Sequence, residues 1–234
     1  MNYSWDLSLG SGGHSSFSLL SGAIAWYDAS TTSTGAIASW TDKSGNGYNA
    51  TQGTGADQPI STAGGINGRQ SVNFVSNDYL TLASSLSLTG VFTMFCVNNT
   101  DTTDATRIWL GTGTNAISNK IGMVATNKLA VRIIAGGTLD QGVTYATGNN
   151  ILTIQRNSAN KVDASFNNAV FTRLFSDVAQ VGTCVWNSIG IDDATTSSDW
   201  QGDIGEIIIY NRALSTAEIS IVNRYLSAKW GITI

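Results

Sequence analysis

Acid–base and nucleophilic chemistry needs carboxyls, imidazoles or thiols within reach of one another, and this chain has few of them. Two glutamates, fourteen aspartates, one histidine and two cysteines are spread over 234 residues. A retaining glycosidase sets two carboxyls about 5–5.5 Å apart across the scissile bond. Glu206 lies in Gly205-Glu206-Ile207, and Glu218 ends Ser215-Thr216-Ala217-Glu218. That tetrapeptide is a capping box, in which Ser takes a free backbone N–H and Glu reaches back to the cap. Asp192-Asp193, Asp199 and Asp203 are close in sequence, but neighbouring strand residues point to opposite faces. Asp192-Asp193 before Ala194-Thr195-Thr196-Ser197-Ser198 reads as a loop. A Ser-His-Asp or Cys-His arrangement would need His14, which sits in a Gly/Ser-rich stretch. One His and two separated Cys assemble no zinc set. Cys96 lies in an apolar run that reads as a buried strand, and its distance from Cys184 in sequence establishes no disulfide. The chain is not expected to be an enzyme.

Residues suited to binding are more plentiful. Asp42, Ser44, Asn46 and Asn49 lie in one glycine-rich turn, and hard cations such as calcium take six to eight oxygens. The same composition also suits a turn that Asp42 caps for itself. Seven Trp, seven Tyr and seven Phe offer faces on which the C–H side of a sugar could stack. Trp26, Trp40 and Trp230 are expected in the core. Trp109, Tyr145, Trp186 and Trp200 stand beside polar or loop segments and are the aromatic candidates for exposure. Arg107 and Arg132 fall on expected middle strands, where they could grip an anionic or hydroxyl-rich ligand or simply face solvent.

These residues must be positioned by short strands. Charged residues make up 12% of the chain, about half the usual share of roughly 25%. Ser, Thr, Asn and Gly fill the difference, as in an exterior β-rich protein. Net charge is −4 and Lys and Arg form no run, so nucleic acid is not an expected partner. No stretch approaches the ~20 apolar residues of a membrane span, and the N-terminus has no secretory signal pattern. Residues 1–21 read as a Gly/Ser-rich arm or leader and 22–234 as one domain, expected to be complete at its C-terminal end. Strands are expected over 23–27, 71–75, 92–97, 107–110, 121–125, 129–134, 151–156, 162–166, 170–174 and 203–210, with turn residues between them. After the capping box, Ile219, Val222 and Leu226 recur at helical spacing and should face the sandwich. The fold class is all-β, with one short C-terminal helix.

Two segments carry a resemblance. One is Trp40-Thr41-Asp42-Lys43-Ser44-Gly45-Asn46-Gly47-Tyr48-Asn49-Ala50-Thr51-Gln52, preceded by Trp26-Tyr27-Asp28-Ala29. The other runs from Gly202-Asp203-Ile204-Gly205-Glu206 through Tyr210-Asn211-Arg212-Ala213-Leu214-Ser215 to Lys229-Trp230-Gly231-Ile232. Together they resemble the laminin-G-like jelly-roll domains of the concanavalin A-like lectin and glucanase superfamily. The resemblance implies two antiparallel sheets, one of them concave, with loops along the rim. Related jelly rolls often carry calcium there, which adds Asp28 to Asp42 as a carboxylate ligand. The Glu-x-Asp-x-x-Glu motif of the glucanase members is missing. Members with these end motifs are often attached to bacterial surface proteins and bacteriophage virion proteins. The implied function is non-catalytic recognition of a cell-surface glycan, at a virion surface or extracellular. The alternative is a capsid-decorating or tail subunit that binds only other virion subunits, and a glycan hydrolase ranks behind both. Assembly as a homo-oligomer fits either of the first two.

Overall fold

The computed structural model describes residues 20–100, 106–112, 119–124, 127–134, 137, 139–145, 147–192 and 198–234. Residues 1–19, His14 among them, lie outside the described residues, so the expected arm over 1–21 is seen only at its end, where Leu20 is buried against the sandwich. Among the described residues, sixteen strands form two antiparallel sheets. The nine-stranded sheet holds β1 (Ala25–Asp28), β2 (Gly35–Ala36), β5 (Ile60–Thr62), β6 (Ser71–Phe74) and β8 (Phe92–Thr100). It also holds β12 (Asn150–Arg156), β13 (Val162–Phe166), β14 (Thr172–Arg173) and β16 (Gly202–Tyr210). The seven-stranded sheet runs in the order β11 (Lys128–Arg132), β10 (Lys120–Val124), β9 (Arg107–Gly111), β15 (Thr183–Ile189), β7 (Leu80–Thr89), β4 (Ala50–Thr51), β3 (Ser39–Trp40).

Side chains from both sheets interdigitate between them, including Trp40, Phe92, Cys96, Trp109, Ile121, Ile154 and Trp186. Both cysteines are free and buried, and burial pushes both thiols well up, Cys184 to about 12. The other face of the nine-stranded sheet is partly covered by helix α1 (Thr216–Trp230), whose Ile219, Val222 and Leu226 are buried. The expected capping box is present: Ser215 Oγ accepts from Glu218 N–H, and Glu218 accepts from Ser215 N–H at 2.8 Å. Gly231 ends the helix at φ 65°, where Asn67 Nδ2 donates to the carbonyls of Trp230 and Gly231.

Hairpins β10–β11 and β12–β13 lie where their turn residues place them. Asn67 and Gly68 both have positive φ, but they sit in a short helical turn within the longer connection from β5 to β6, not in a tight hairpin. The strand expected over 170–174 shrinks to Thr172–Arg173, because the chain leaves the sheet into a left-handed turn at Phe175-Ser176-Asp177. Two long strands, β7 and β15, were not anticipated. In β7 the period-two pairs Leu80/Leu82 and Leu86/Leu88 were the available signal.

Candidate functional site

The glycine-rich turn proves to be a latch in which both carboxylate oxygens of Asp42 are engaged. Gly45 and Gly47 take positive φ, and Asp42 folds back over the turn they make. Asp42 Oδ1 accepts from the N–H groups of Trp26 and Ser44, both at 2.9 Å. Its Oδ2 accepts from Ser44 Oγ at 2.8 Å and Tyr48 N–H at 3.1 Å. Asn49 Oδ1 accepts from Asp42 N–H, and Asn46 Nδ2 donates to Ile24 O. Asp28 is buried and takes Lys43 at 2.6 Å on one oxygen and Lys229 at 2.7 Å on the other. Asp28, Asp42, Asn46 and Asn49 therefore do not fit a calcium ion. The oxygens of Asp28, Asp42 and Asn49 are taken by N–H and O–H donors, Asn46 turns its amide N–H to Ile24 O, and two ammonium groups stand where a cation would be repelled. Among the described residues no group of three His, Cys, Asp or Glu is placed to hold a metal.

The two segments that carried the resemblance meet at this latch. Glu206 of β16 has no exposure and accepts four hydrogen bonds. Trp26 Nε1 and Tyr225 Oη donate to Oε1, at 2.7 and 3.0 Å. Lys229 Nζ and Trp230 Nε1 donate to Oε2, at 2.7 and 2.8 Å. Lys43 also lies 4.2 Å from the Trp26 ring centre. The cluster joins β1, the 42–48 turn, β16 and α1, so its carboxylates hold the fold together.

The aromatic candidates are corrected by their burial. Trp109, Tyr145, Trp186 and Trp200 are each at most 1% exposed and present no stacking face. Trp186 points inward from β15 and meets Phe92 edge-on, with ring centres 5.8 Å apart. Tyr145 packs between Phe166 and Trp200, and its hydroxyl donates to buried Asn98 at 2.7 Å. Polar sequence neighbours misled here because Trp109 and Trp186 sit on strands whose pairing, not neighbour polarity, decides which way they point, while Tyr145 and Trp200 lie in connections that fold back onto the core. Arg107 lies opposite Met123, is 9% exposed and has a buried Nε with no hydrogen-bond partner. Arg132 is half-buried on β11, directly opposite Lys120. The structure does not bring the six candidates together on one surface.

Among the described residues, part of the outer face of the seven-stranded sheet is left open. Cross-strand partners share a face, and the register runs unbroken through Ser39, Thr51, Thr81, Ser188, Gly111, Lys120 and Arg132, one from each strand of the seven-stranded sheet. The neighbouring row Trp40–Ala50–Leu82 is buried, whereas Ser39, Thr51 and Thr81 are exposed. Beyond them the face is stepped. Ser188 is 3% exposed and donates to Ile191 O at 2.8 Å. Ile191 and Asp192 lie so close over Gly111 that a Cβ there would come within 2.4 Å of the Ile191 carbonyl. Asp192 then pairs with Lys120. Exposed Ser85, Ser87, Thr89 and Thr183 extend the open half, and the last two hydroxyls are 2.8 Å apart. Such a surface offers donors and acceptors on short, stiff side chains. Sequence patterning missed it because two-residue strands such as β3 and β4 have no period to read.

No family model matches the chain, and no curated protein does. Solved structures do share its fold. The botulinum neurotoxin serotype G binding domain is 14% identical at a TM-score of 0.60, over 88% of this chain and 51% of that one. The botulinum neurotoxin serotype D/C binding domain is 12% identical at a TM-score of 0.51, over 89% of this chain and 53% of that one. Trypanosoma rangeli sialidase in complex with sialic acid is 12% identical at 0.54, over 89% of this chain and 33% of that one. The chain thus spans about half the length of the toxin domains and a third of the sialidase. At these identities the likeness is one of fold: an all-β sandwich of two antiparallel sheets. Among the described residues, no helix is long and apolar enough to cross a membrane.

Proposed function

We propose that this chain is a non-catalytic module that recognises a saccharide surface through the open face of its seven-stranded sheet. The observation that carries the reading is the exposed hydroxyl row on β3, β4 and β7, on the sheet face that α1 does not cover. A binding role also agrees with how the glutamates are used. Glu206 is buried under four donors and Glu218 closes the helix cap, so neither is available as acid or nucleophile. The structural relatives include toxin domains named for binding, and the sequence resemblance favours display on a virion or bacterial surface. A glycan array probed with the purified protein, with calcium and again with a chelator, tests this. Selective binding that survives the chelator is expected, and silence in both arms refutes the reading.

A second reading has its own observation. Val170, in the connection from β13 to β14, and Val178 and Val181, in the connection from β14 to β15, are 92%, 59% and 70% exposed. Aliphatic groups so placed suit contact with a neighbouring protein subunit. Under that reading the molecule is a structural subunit, and silence on the array combined with co-assembly would favour it.

A further inference from the structure

We infer that the chain's own N-terminal segment, residues 2–9, adds a strand to the outer edge of β14 and covers the exposed valines beside it. This edge belongs to the nine-stranded sheet, away from the open face of the other sheet, and its role is independent of the saccharide reading.

Among the described residues β14 pairs only with β13 and ends the nine-stranded sheet. Leu174 N–H donates to Val162 O. Alternate residues of an antiparallel strand turn their backbone groups the other way, which points those of Phe171 and Arg173 outward. Such an unpaired edge is a template for another strand. Apolar side chains flank it: Val170 before β14 and Val178 and Val181 after it are all exposed. Thr172 stands opposite buried Ala164, and Leu174 is buried two residues on. Apolar groups laid beside Thr172 therefore extend the core past the edge.

The sequence supplies the occupant. Residues 2–9, outside the described residues, read Asn2-Tyr3-Ser4-Trp5-Asp6-Leu7-Ser8-Leu9. Tyr3, Trp5, Leu7 and Leu9 alternate strictly with Asn2, Ser4, Asp6 and Ser8. Strict alternation of this length is the pattern of a strand with one buried side. Such a segment needs a ladder partner and an apolar surface at once. The β14 edge offers both, with the core side for its large side chains and the side of Arg173 and Asp163 for its polar ones.

Position and reach agree. Ala25 of β1 lies in one unbroken register row with Ile209, Met94, Ile154, Ala164 and Thr172. The chain thus enters the sheet level with β14, five strand spacings or about 24 Å away, and a strand added outside β14 stands at about 29 Å. Residues 10–19 can extend to about 33–36 Å, and Leu20 at their end is buried on the sandwich. Gly10, Gly12 and Gly13 and four serines make up most of that tether. A tether this short holds the segment near millimolar effective concentration, which favours its own sheet over a neighbour's.

Amide hydrogen exchange on the full chain, read by mass spectrometry, tests this. Exchange within 2–9 and at Phe171 and Arg173 is expected to be slowed about tenfold or more relative to unprotected amides. Trp5→Asp combined with Leu7→Asp should release both segments together, with the circular dichroism of the folded body retained. Val170→Asp should release 2–9 in the same way. Ile60→Asp, an exposed aliphatic position near the opposite end of the sheet, should not. Unprotected 2–9 in the full chain overturns the inference, and so does protection that Ile60→Asp removes and Val170→Asp leaves. Sedimentation should show a monomer. A dimer that the Trp5→Asp and Leu7→Asp chain no longer forms overturns attachment within one chain and assigns the edge to a neighbour's segment. None of these variants touches the open face of the seven-stranded sheet, so the glycan array judges the saccharide reading separately.

Discussion

Asp28 shows how the electrostatics of single residues serve this fold. Burial by itself pushes its carboxyl up, but Lys229 and Lys43 outweigh burial and hold it at about 2, below its ordinary value of 3.8. A carboxyl depressed on folding contributes stability above its unfolded value, and loses that contribution as pH falls through the folded value. Asp28→Asn should therefore lower stability at pH 7 by roughly 2 kcal/mol and flatten the acid limb between about pH 4 and 2. Urea unfolding at several pH values checks this. An unchanged acid slope would mean the two lysines do not set the titration. At this scale the sequence identified Asp28 and Asp42 as residues of consequence but not their task. Their residue types suit a cation or a latch equally, and only the arrival of Lys229 from the far end of the chain decides between them.

Elements were legible in proportion to their length and local punctuation. The capping box before α1 and the Asn-rich turns of β10–β11 and β12–β13 act within a few residues, so sequence alone locates them. Ser215→Ala should cost about 1 kcal/mol, because the Glu218 N–H loses its acceptor. Thermal unfolding reads that loss, and no change would mean the reciprocal Glu218 contact carries the cap. The two-residue strands β2, β3 and β4 are defined only by their pairing, with β5, with β4 and with the long β7 respectively, so local preference does not reveal them. β7 was readable from its alternating leucines, although its register slips against β15 between Trp186 and Ser188.

For the whole molecule, the two sheets and the latch decide what can be bound and where. Because the turn's carboxylate oxygens are already engaged, millimolar calcium should shift the melting temperature by less than about 1 °C, since only a ligand held by the folded state stabilises it. A clear calcium-dependent rise would place a cation site elsewhere on the molecule. Glu206, Arg156 and Asn98 are polar groups without exposure, and each is held by partners distant in sequence. Arg156 of β12 donates to the carbonyls of Leu88, Gln180 and Gly182, which ties the two sheets together at one end of the sandwich.

The sequence by itself determined the fold class, the C-terminal helix and its cap, and the scarcity of catalytic parts. Each of these follows from composition or from contacts within a few residues. Only the tertiary structure decided which aromatics are buried, what the acidic turn holds, and where an open face lies. Those outcomes depend on strand parity, on register, and on pairings between residues far apart in the chain. Trp109 and Trp186 have polar neighbours in sequence yet face inward, and Ser39, Thr51 and Thr81 become a row only when three strands align.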